Sequence, residues 1–264
     1  MSGPPRDEVL DILEAAREFA LEAGNVTLKY FGGVVDSEAK GDGSPVTIAD
    51  REAEALIRER VTARFPDHGV LGEEFPPTNE GARTRWILDP IDGTRSFMRG
   101  VPLYGVLIGV EVEGAPVVGV AHFPALGEMV SAGSGLGCHL NANPCAVSQV
   151  GSLEKALVTT TDVERILSRH EGTGWRRLQQ EASFSRTWGD CYGHILVATG
   201  RSEVHVDPVL SSWDAGPLLT ILEEAGGRFT SLEGKATIHG GSGVSSNGLL
   251  HDQVLETLRT GHLG

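Results

Sequence analysis

Two aspartates three residues apart, Asp89 and Asp92, lie in the run Trp86-Ile-Leu-Asp-Pro-Ile-Asp-Gly-Thr-Arg95, directly after an apolar stretch and before a Gly-Thr turn. A strand that ends this way delivers hard anionic oxygens to a backbone turn able to hold a phosphate. Oxygen donors of this kind suit Mg2+ or Mn2+, ions that keep several waters and complete their shells with carboxylates and substrate phosphate. Two carboxylates on the end of a buried strand also repel one another unless a cation or a shared proton relieves them. The segment therefore points to metal-assisted phosphate chemistry. Two further acidic signals stand where strands or loops should end: Gly72-Glu73-Glu74 after Val70-Leu71, and Asp214 in Trp213-Asp-Ala-Gly-Pro217. Taken singly, the first reads as a surface loop and the second as a helix N-cap.

The hydrophobic pattern foretells the elements that must position these groups. Val9, Ile12, Leu13, Ala16, Phe19, Ala20 and Ala23 recur at helical spacing, which predicts an amphipathic helix over residues 7–29, closed by Gly32 and Gly33. A polar hairpin or loop, Lys40-Gly-Asp-Gly-Ser-Pro-Val-Thr-Ile-Ala-Asp50, leads to a second helix marked by Ala53, Leu56, Ile57 and Val61 and ended by Pro66. From Gly69 to Val130 the chain breaks into short β-rich runs, at residues 69–71, 85–88, 104–112, 116–122 and 128–131. This half reads as two helices on an antiparallel sheet. Beyond the glycine-rich Gly133-Ser-Gly-Leu-Gly137 and a polar stretch to Ser152, strands and helices alternate, as in a second α/β lobe. Strands are expected at 156–160, 183–187, 203–206, 228–230 and 243–245, and helices at 162–170, 175–181, 190–199, 214–225 and 249–260. A lobe junction near residue 148 divides the chain into 1–148, carrying most of the acidic signals, and 149–264, carrying Asp214.

With 264 residues, 40% apolar and 22% charged, the composition is that of a soluble globular protein with ample core, as one large domain or two lobes. A net charge of -14 argues against a basic nucleic-acid-binding surface. It also repels a phosphorylated substrate unless bound cations reverse the local sign. Cys138, Cys145 and Cys191 show neither a CxxC pair nor zinc-ligand spacing, so reduced cytoplasmic thiols are expected. The first residues lack the pattern of a secretory signal, and the most apolar stretch, Tyr104 to Val110, is too short to span a membrane. A cytosolic protein is the expectation.

In chain order, Pro45-Val-Thr-Ile-Ala-Asp50, Glu73, the Asp89-to-Thr94 run and Asp214 closely resemble the signature of the inositol monophosphatase-like superfamily of Mg2+-dependent phosphatases, over nearly the whole chain. That resemblance implies an α+β or α/β class, layered αβαβα sugar-phosphatase-like fold, with an antiparallel sheet in the N-terminal lobe and a mixed sheet in the C-terminal one. It implies Glu73, Asp89, the Ile91 carbonyl, Asp92 and Asp214 as metal ligands, holding two or three Mg2+ with Mn2+ as a possible substitute. Asp50 and Thr94 correspond to the pair that orients and deprotonates the attacking water, with Glu73 also catalytic. The Gly93 and Thr94 amides meet the phosphate. Family habit makes a homodimer the better guess. The chemistry agrees with these residue types, because a phosphate dianion resists hydroxide until clustered cations neutralise it. A three-residue carboxylate spacing separates this pattern from haloacid-dehalogenase phosphatases, whose Asp-x-Asp-x-Thr acids lie two apart. The Gly133–Gly137 segment lacks the strand-to-helix setting of a nucleotide loop.

Downstream, Arg95-Ser-Phe-Met-Arg-Gly-Val-Pro102 stands where inositol monophosphatases typically read Asn-Phe-Val-His-Gly-Phe-Pro. Together with Arg186-Thr-Trp-Gly-Asp-Cys-Tyr192 and Val206-Asp-Pro-Val-Leu-Ser-Ser-Trp-Asp214, it is similar to the histidinol-phosphate phosphatase branch. Such a substrate carries an ammonium group and an imidazole beside its phosphate. Asp190 and Asp207 could meet the amine, with Glu74 as a helper; as residues alone, Asp190 reads as an N-cap and Asp207 as a strand-end turn. Arg186 is either a partner of those acids or of substrate, or a surface arginine. Lys40 either screens the phosphate or faces solvent. Trp188 reads as core, and the nine histidines show no metal-ligand spacing. Inositol 1-phosphate, more remotely a sugar bisphosphate or a 3'-phosphoadenosine nucleotide, and a non-catalytic metal-binding module remain the alternatives.

Overall fold

The computed structural model of the chain describes residues 3–33, 37–39 and 45–259, with backbone only for 37–39 and Pro45. Lys40 and the loop around it lie outside the described residues. Helix α1 (Arg6–Leu28) is followed by the short antiparallel pair β1 (Ser37–Ala39) and β2 (Pro45–Thr47), then α2 (Ile48–Arg64). A first sheet contains β3 (Gly69–Gly72), β4 (Thr84–Asp92), β5 (Gly105–Val112), β6 (Ala115–Phe123), β7 (Glu128–Gly133), β8 (Gly137–Leu140) and β9 (Asn143–Pro144), paired in sequence order. The short helix α3 (Thr94–Met98) follows β4. The second half adds β10 (Leu157–Thr160), α4 (Val163–Leu167), α5 (Gly172–Glu181), β11 (Phe184–Arg186), α6 (Asp190–Ala198) and β12 (Val204–Asp207). It ends with α7 (Ser212–Ala215), α8 (Leu218–Glu224), β13 (Arg228–Thr230), β14 (Gly243–Ser246) and α9 (His251–Arg259). Its strands form a second sheet in the order β11-β10-β12-β14-β13, parallel around β10 and antiparallel around β14.

These elements stack as five layers, αβαβα, as the family resemblance implies. Alternation along the strands of the first sheet explains its place inside the stack. On β4, Trp86 and Leu88 pack into the cluster formed with α1 and α2, whereas Ile87 points the other way, towards residues of α6 and α8. On β5, Val106, Ile108 and Val110 take the first side and Leu107 the second. The far side of the second sheet is covered by α5 and α9, through Trp175, Leu178, Val254 and Leu258. No helix among the described residues is long and apolar enough to cross a membrane.

Four expectations need correction. The first sheet is not wholly antiparallel, because β3 runs parallel to β4. Both strands therefore end at the same edge, and the Glu73 amide bonds the Leu88 carbonyl at 3.2 Å, beside the start of the acidic run. The helix expected over 214–225 breaks into α7 and α8 at Gly216-Pro217, where proline supplies no amide to continue the ladder. This elbow lies directly on the sheet: a Cβ on Gly109 would meet the Gly216 carbonyl carbon at 2.4 Å, and one on Gly119 the Pro217 oxygen at 2.2 Å. The helix expected over 162–170 is reduced to α4, with Asp162 as its N-cap. Strands β8 and β9 form within the stretch read as polar loop. The glycine-rich turn before β8 serves structure, its Gly135 and Gly137 amides both binding the Glu224 carboxylate at 2.8 Å.

Candidate active site

The C-terminal ends of β3, β4, β10 and β12 and the starts of α6 and α7 surround one cavity of about 660 Å³. Of the residues singled out from sequence, Glu73, Asp92, Gly93, Thr94, Asp190, Asp207 and Asp214 line it. Asp89 and Ile91 are buried behind that lining. Carboxylate oxygens of Asp89, Asp92 and Asp214 lie within 4.8 Å of one another, although Asp214 follows Asp92 only after the whole of the intervening sheet.

Each acid has one oxygen fixed by a backbone amide. Ile91 N–H donates to Asp89 Oδ1 at 3.0 Å, Cys191 N–H to Asp92 Oδ2 at 2.6 Å and Ser211 N–H to Asp214 Oδ2 at 2.8 Å. The last bond is half of a capping box at the start of α7, in which Ser211 is the N-cap and Asp214 the third helical residue; Asp214 is thus not the N-cap expected of it, and its capping-box bond is compatible with a second use of its carboxylate. Burial pushes Asp89 well above the usual carboxylate range, and the charges of Glu73, Asp92 and Asp214 push it further. Asp92 is raised well by burial and then by Asp190 and Asp214, with the Cys191 amide opposing. Asp214 is raised to about 6 by burial, against its hydrogen bonds from Asp89 and Ser211. Buried carboxylates that repel one another need added positive charge or protons to persist. All-oxygen donors, with neither His nor Cys among the three, fit Mg2+ better than Zn2+.

Thr94 Oγ1 donates to the Ile91 carbonyl at 3.1 Å. Asp50 is buried at the start of α2, where its Oδ2 accepts the Thr47 amide at 2.8 Å and the Thr47 hydroxyl at 2.5 Å. No described hydrogen bond joins Thr94 to Asp50. The turn that carries Glu73 is held by a residue that the sequence reading passed over: buried Glu54 on α2 accepts the Glu74 and Phe75 amides at 2.8 and 3.3 Å and pairs with Arg58 at 2.7 Å.

The same cavity holds two further acids, and the carboxylate of one of them, Asp190, lies against the Gly93 turn. Asp207 ends β12 and is raised to about 7 by burial, its hydrogen bond from Thr161 opposing. Asp190 begins α6; burial raises it while the Arg95 charge and a Ser96 hydrogen bond pull back. Arg95 and Arg165 supply cations on the cavity wall. Arg186 is not brought here: it is exposed on the edge strand β11, folded over Phe184 with its guanidinium carbon 5.4 Å from the ring centre. Glu74 does not line the cavity either, its backbone turning away at Glu54. Trp188, expected in the core, is 40% exposed.

Sequence reading also missed Thr161, which lines the cavity immediately after β10. A histidine grouping was missed as well: donor atoms of His194, His205 and Asp207 lie within 4.8 Å of one another, on α6 and the adjacent β12. Its residues are spread over 14 positions of sequence, without the short spacing of a metal motif.

Comparison with known proteins agrees with this geometry. The model of the inositol monophosphatase family matches residues 8–263. A histidinol-phosphatase of Chlorobaculum parvum is 45% identical over 251 residues, covering 94% of this chain and 97% of that protein. One from Mycobacterium tuberculosis is 37% identical, covering 95% and 99%. Among solved structures, the extragenic suppressor protein suhB of Bartonella henselae superposes with a TM-score of 0.89 at 28% identity, over 95% of this chain and 99% of its own. With the family model spanning almost the full length, and relatives of this identity covered end to end, the chain belongs to the inositol monophosphatase family.

Proposed function

We propose that the chain is a Mg2+-dependent phosphomonoesterase that converts L-histidinol phosphate and water to L-histidinol and phosphate, a step of histidine biosynthesis. The observation that carries this reading is a single cavity that holds a repelling carboxylate cluster and two further acids, Asp190 and Asp207. A substrate with a phosphate and an ammonium group complements both sets of acids. The full-length similarity to histidinol-phosphatases points the same way.

In this reading Glu73, Asp89, the Ile91 carbonyl, Asp92 and Asp214 hold two or three Mg2+, with Mn2+ as a substitute. Bound there, the ions would neutralise the phosphate dianion and make a bound water acidic enough to attack. Backbone amides at Ile91, Cys191 and Ser211 fix one oxygen of each aspartate, so the acids keep their orientation as charge changes beside them. Thr94 and Asp50 orient the water and take its proton, and the Gly93 and Thr94 amides meet the phosphate. Asp190 and Asp207 receive the ammonium group. We further infer a cytoplasmic homodimer from the family resemblance.

Phosphate release over a panel of esters, with and without Mg2+, tests the proposal. Histidinol phosphate should be preferred and turnover should vanish with chelator. A wide preference for inositol 1-phosphate would sink the substrate assignment, and inactivity on every ester would favour a binding module.

A further inference from the structure

We propose that Thr161 is a positioning residue that sets the two amine-end acids relative to the phosphate end, and thereby determines selectivity for an amine-bearing ester; this rests on the roles just given to Asp190 and Asp207. Strand β10 lies beside β12 in parallel register, with Thr160 opposite Val206, so the next residues, Thr161 and Asp207, emerge side by side at the cavity. The Thr161 hydroxyl donates to Asp207 Oδ2 at 2.8 Å and accepts the Asp190 amide at 2.9 Å. A hydroxyl has a single hydrogen, and here it is committed to the carboxylate while a lone pair takes the amide. One side chain thus ties together two acids that are 17 residues apart in sequence.

The backbone around Asp190 shows that this tie is built in. Asp190 adopts φ 51, a left-handed conformation that residues with side chains seldom occupy unless their surroundings hold them there. Its neighbour is Gly189, where a Cβ would lie 2.4 Å from the Thr161 Cα, so only glycine lets the two segments approach this closely. The next amide along, that of Cys191, donates to Asp92 Oδ2 at 2.6 Å. Consecutive amides at the start of α6 therefore reach both sets of acids. Asp190 N–H reaches Thr161 and through it Asp207, and Cys191 N–H reaches Asp92. The connected path Asp207–Thr161–Asp190–Cys191–Asp92 fixes Asp207 and Asp190 relative to Asp92, an arrangement that a substrate with a set distance between phosphate and ammonium must match.

The test compares wild type, Thr161→Val and Thr161→Ser on L-histidinol phosphate and on 3-(imidazol-4-yl)propyl phosphate, which lacks only the amino group. Valine keeps the volume and removes both hydrogen bonds; serine keeps the bonds. KM for histidinol phosphate should rise about tenfold in Thr161→Val, as expected for loss of a hydrogen bond to a charged group. Its kcat should change far less, the preference over the des-amino ester should collapse, and serine should restore it. Thr161→Ala carries the same comparison if the valine variant does not fold. Loss of kcat/KM by one common factor on both esters would mean a merely structural role and overturn the inference, as would a Thr161→Val enzyme as selective as wild type. Equal activity of wild type on both esters would instead overturn the amine-end reading on which the inference rests.

Discussion

The cavity aspartates, one buried and two half-buried, and the fully buried histidines on and around the second sheet answer burial in opposite ways. Asp89, Asp92 and Asp214 are pushed up by desolvation and by neighbouring carboxylates, and one oxygen of each is held by a backbone amide. Burial pushes His194, His205 and His251 down, so they stay neutral, and hydroxyls are the partners of their Nδ1 atoms: Ser245 for His194, Thr159 for His205 and Ser246 for His251. A neutral imidazole with a hydroxyl partner is a packed side chain that leaves no charge to offset, even where, as at His194 and His205, the buried Nε2 has no hydrogen-bond partner among the described residues. A cluster of carboxylates is complete only when something else brings charge. Burial of a titratable group is therefore a poor guide to function by itself; the sign of the charge left uncompensated is a better one.

The most direct way to break this contrast is Asp92→Asn. Turnover should fall on the order of a thousandfold or more, with circular dichroism unchanged, since the group lost serves charge at the site rather than the core. Any rise in Tm that Mg2+ gives the wild type, expected when an ion binds only the folded chain, should shrink with it. Normal turnover by this variant would refute the metal assignment.

A smaller effect sharpens the histidine side. Free histidine gains its proton near pH 6.5, whereas His205 in the fold resists protonation to about 3 because it is buried. Below 6.5 the unfolded chain therefore binds a proton that the folded chain refuses. Stability from this residue is intact above 6.5 and declines as pH falls towards 3, by roughly 1.4 kcal/mol per pH unit once the unfolded histidine is charged. Urea unfolding between pH 6 and 4 should give a shallower decline for His205→Gln than for wild type, the difference cancelling the opposite contribution of the raised aspartates. Parallel curves would show that His205 is not held neutral.

The smallest effect belongs to Arg186→Ala. Its guanidinium lies against Phe184 on the edge strand, so kcat and KM should stay within about twofold of wild type. A KM rise for histidinol phosphate of tenfold would return Arg186 to the substrate.

How much of this was legible from sequence depended on the reach of the contacts involved. The run from Asp89 to Thr94 reads itself, because a strand, an acidic end and a turn are consecutive and local. Asp214 was found through chain order, although its helix was drawn too long across Gly216-Pro217. Arg186 was left open between a partner of the acids or substrate and a surface arginine; the second holds in the fold, where β11 is an edge strand while α6 turns back to the cavity. Glu54, Thr161 and the parallel pairing of β3 with β4 were invisible for a common reason. Each acts through partners 20 or more residues away or through strand direction, neither of which leaves a periodic or spaced trace.

The elbow at Gly216-Pro217, resting on Gly109 and Gly119, bears on how damage to this protein would be inherited. Any side chain acquired at either strand glycine must lift the elbow, and with it the short helix that presents Asp214. Such an allele would look like a lesion of chemistry in a growth selection while leaving every acid in place. Second-site suppressors of it should arise along the elbow and the helix beyond, and a pedigree of those suppressors would trace the contact between sheet and helix as faithfully as a structure does.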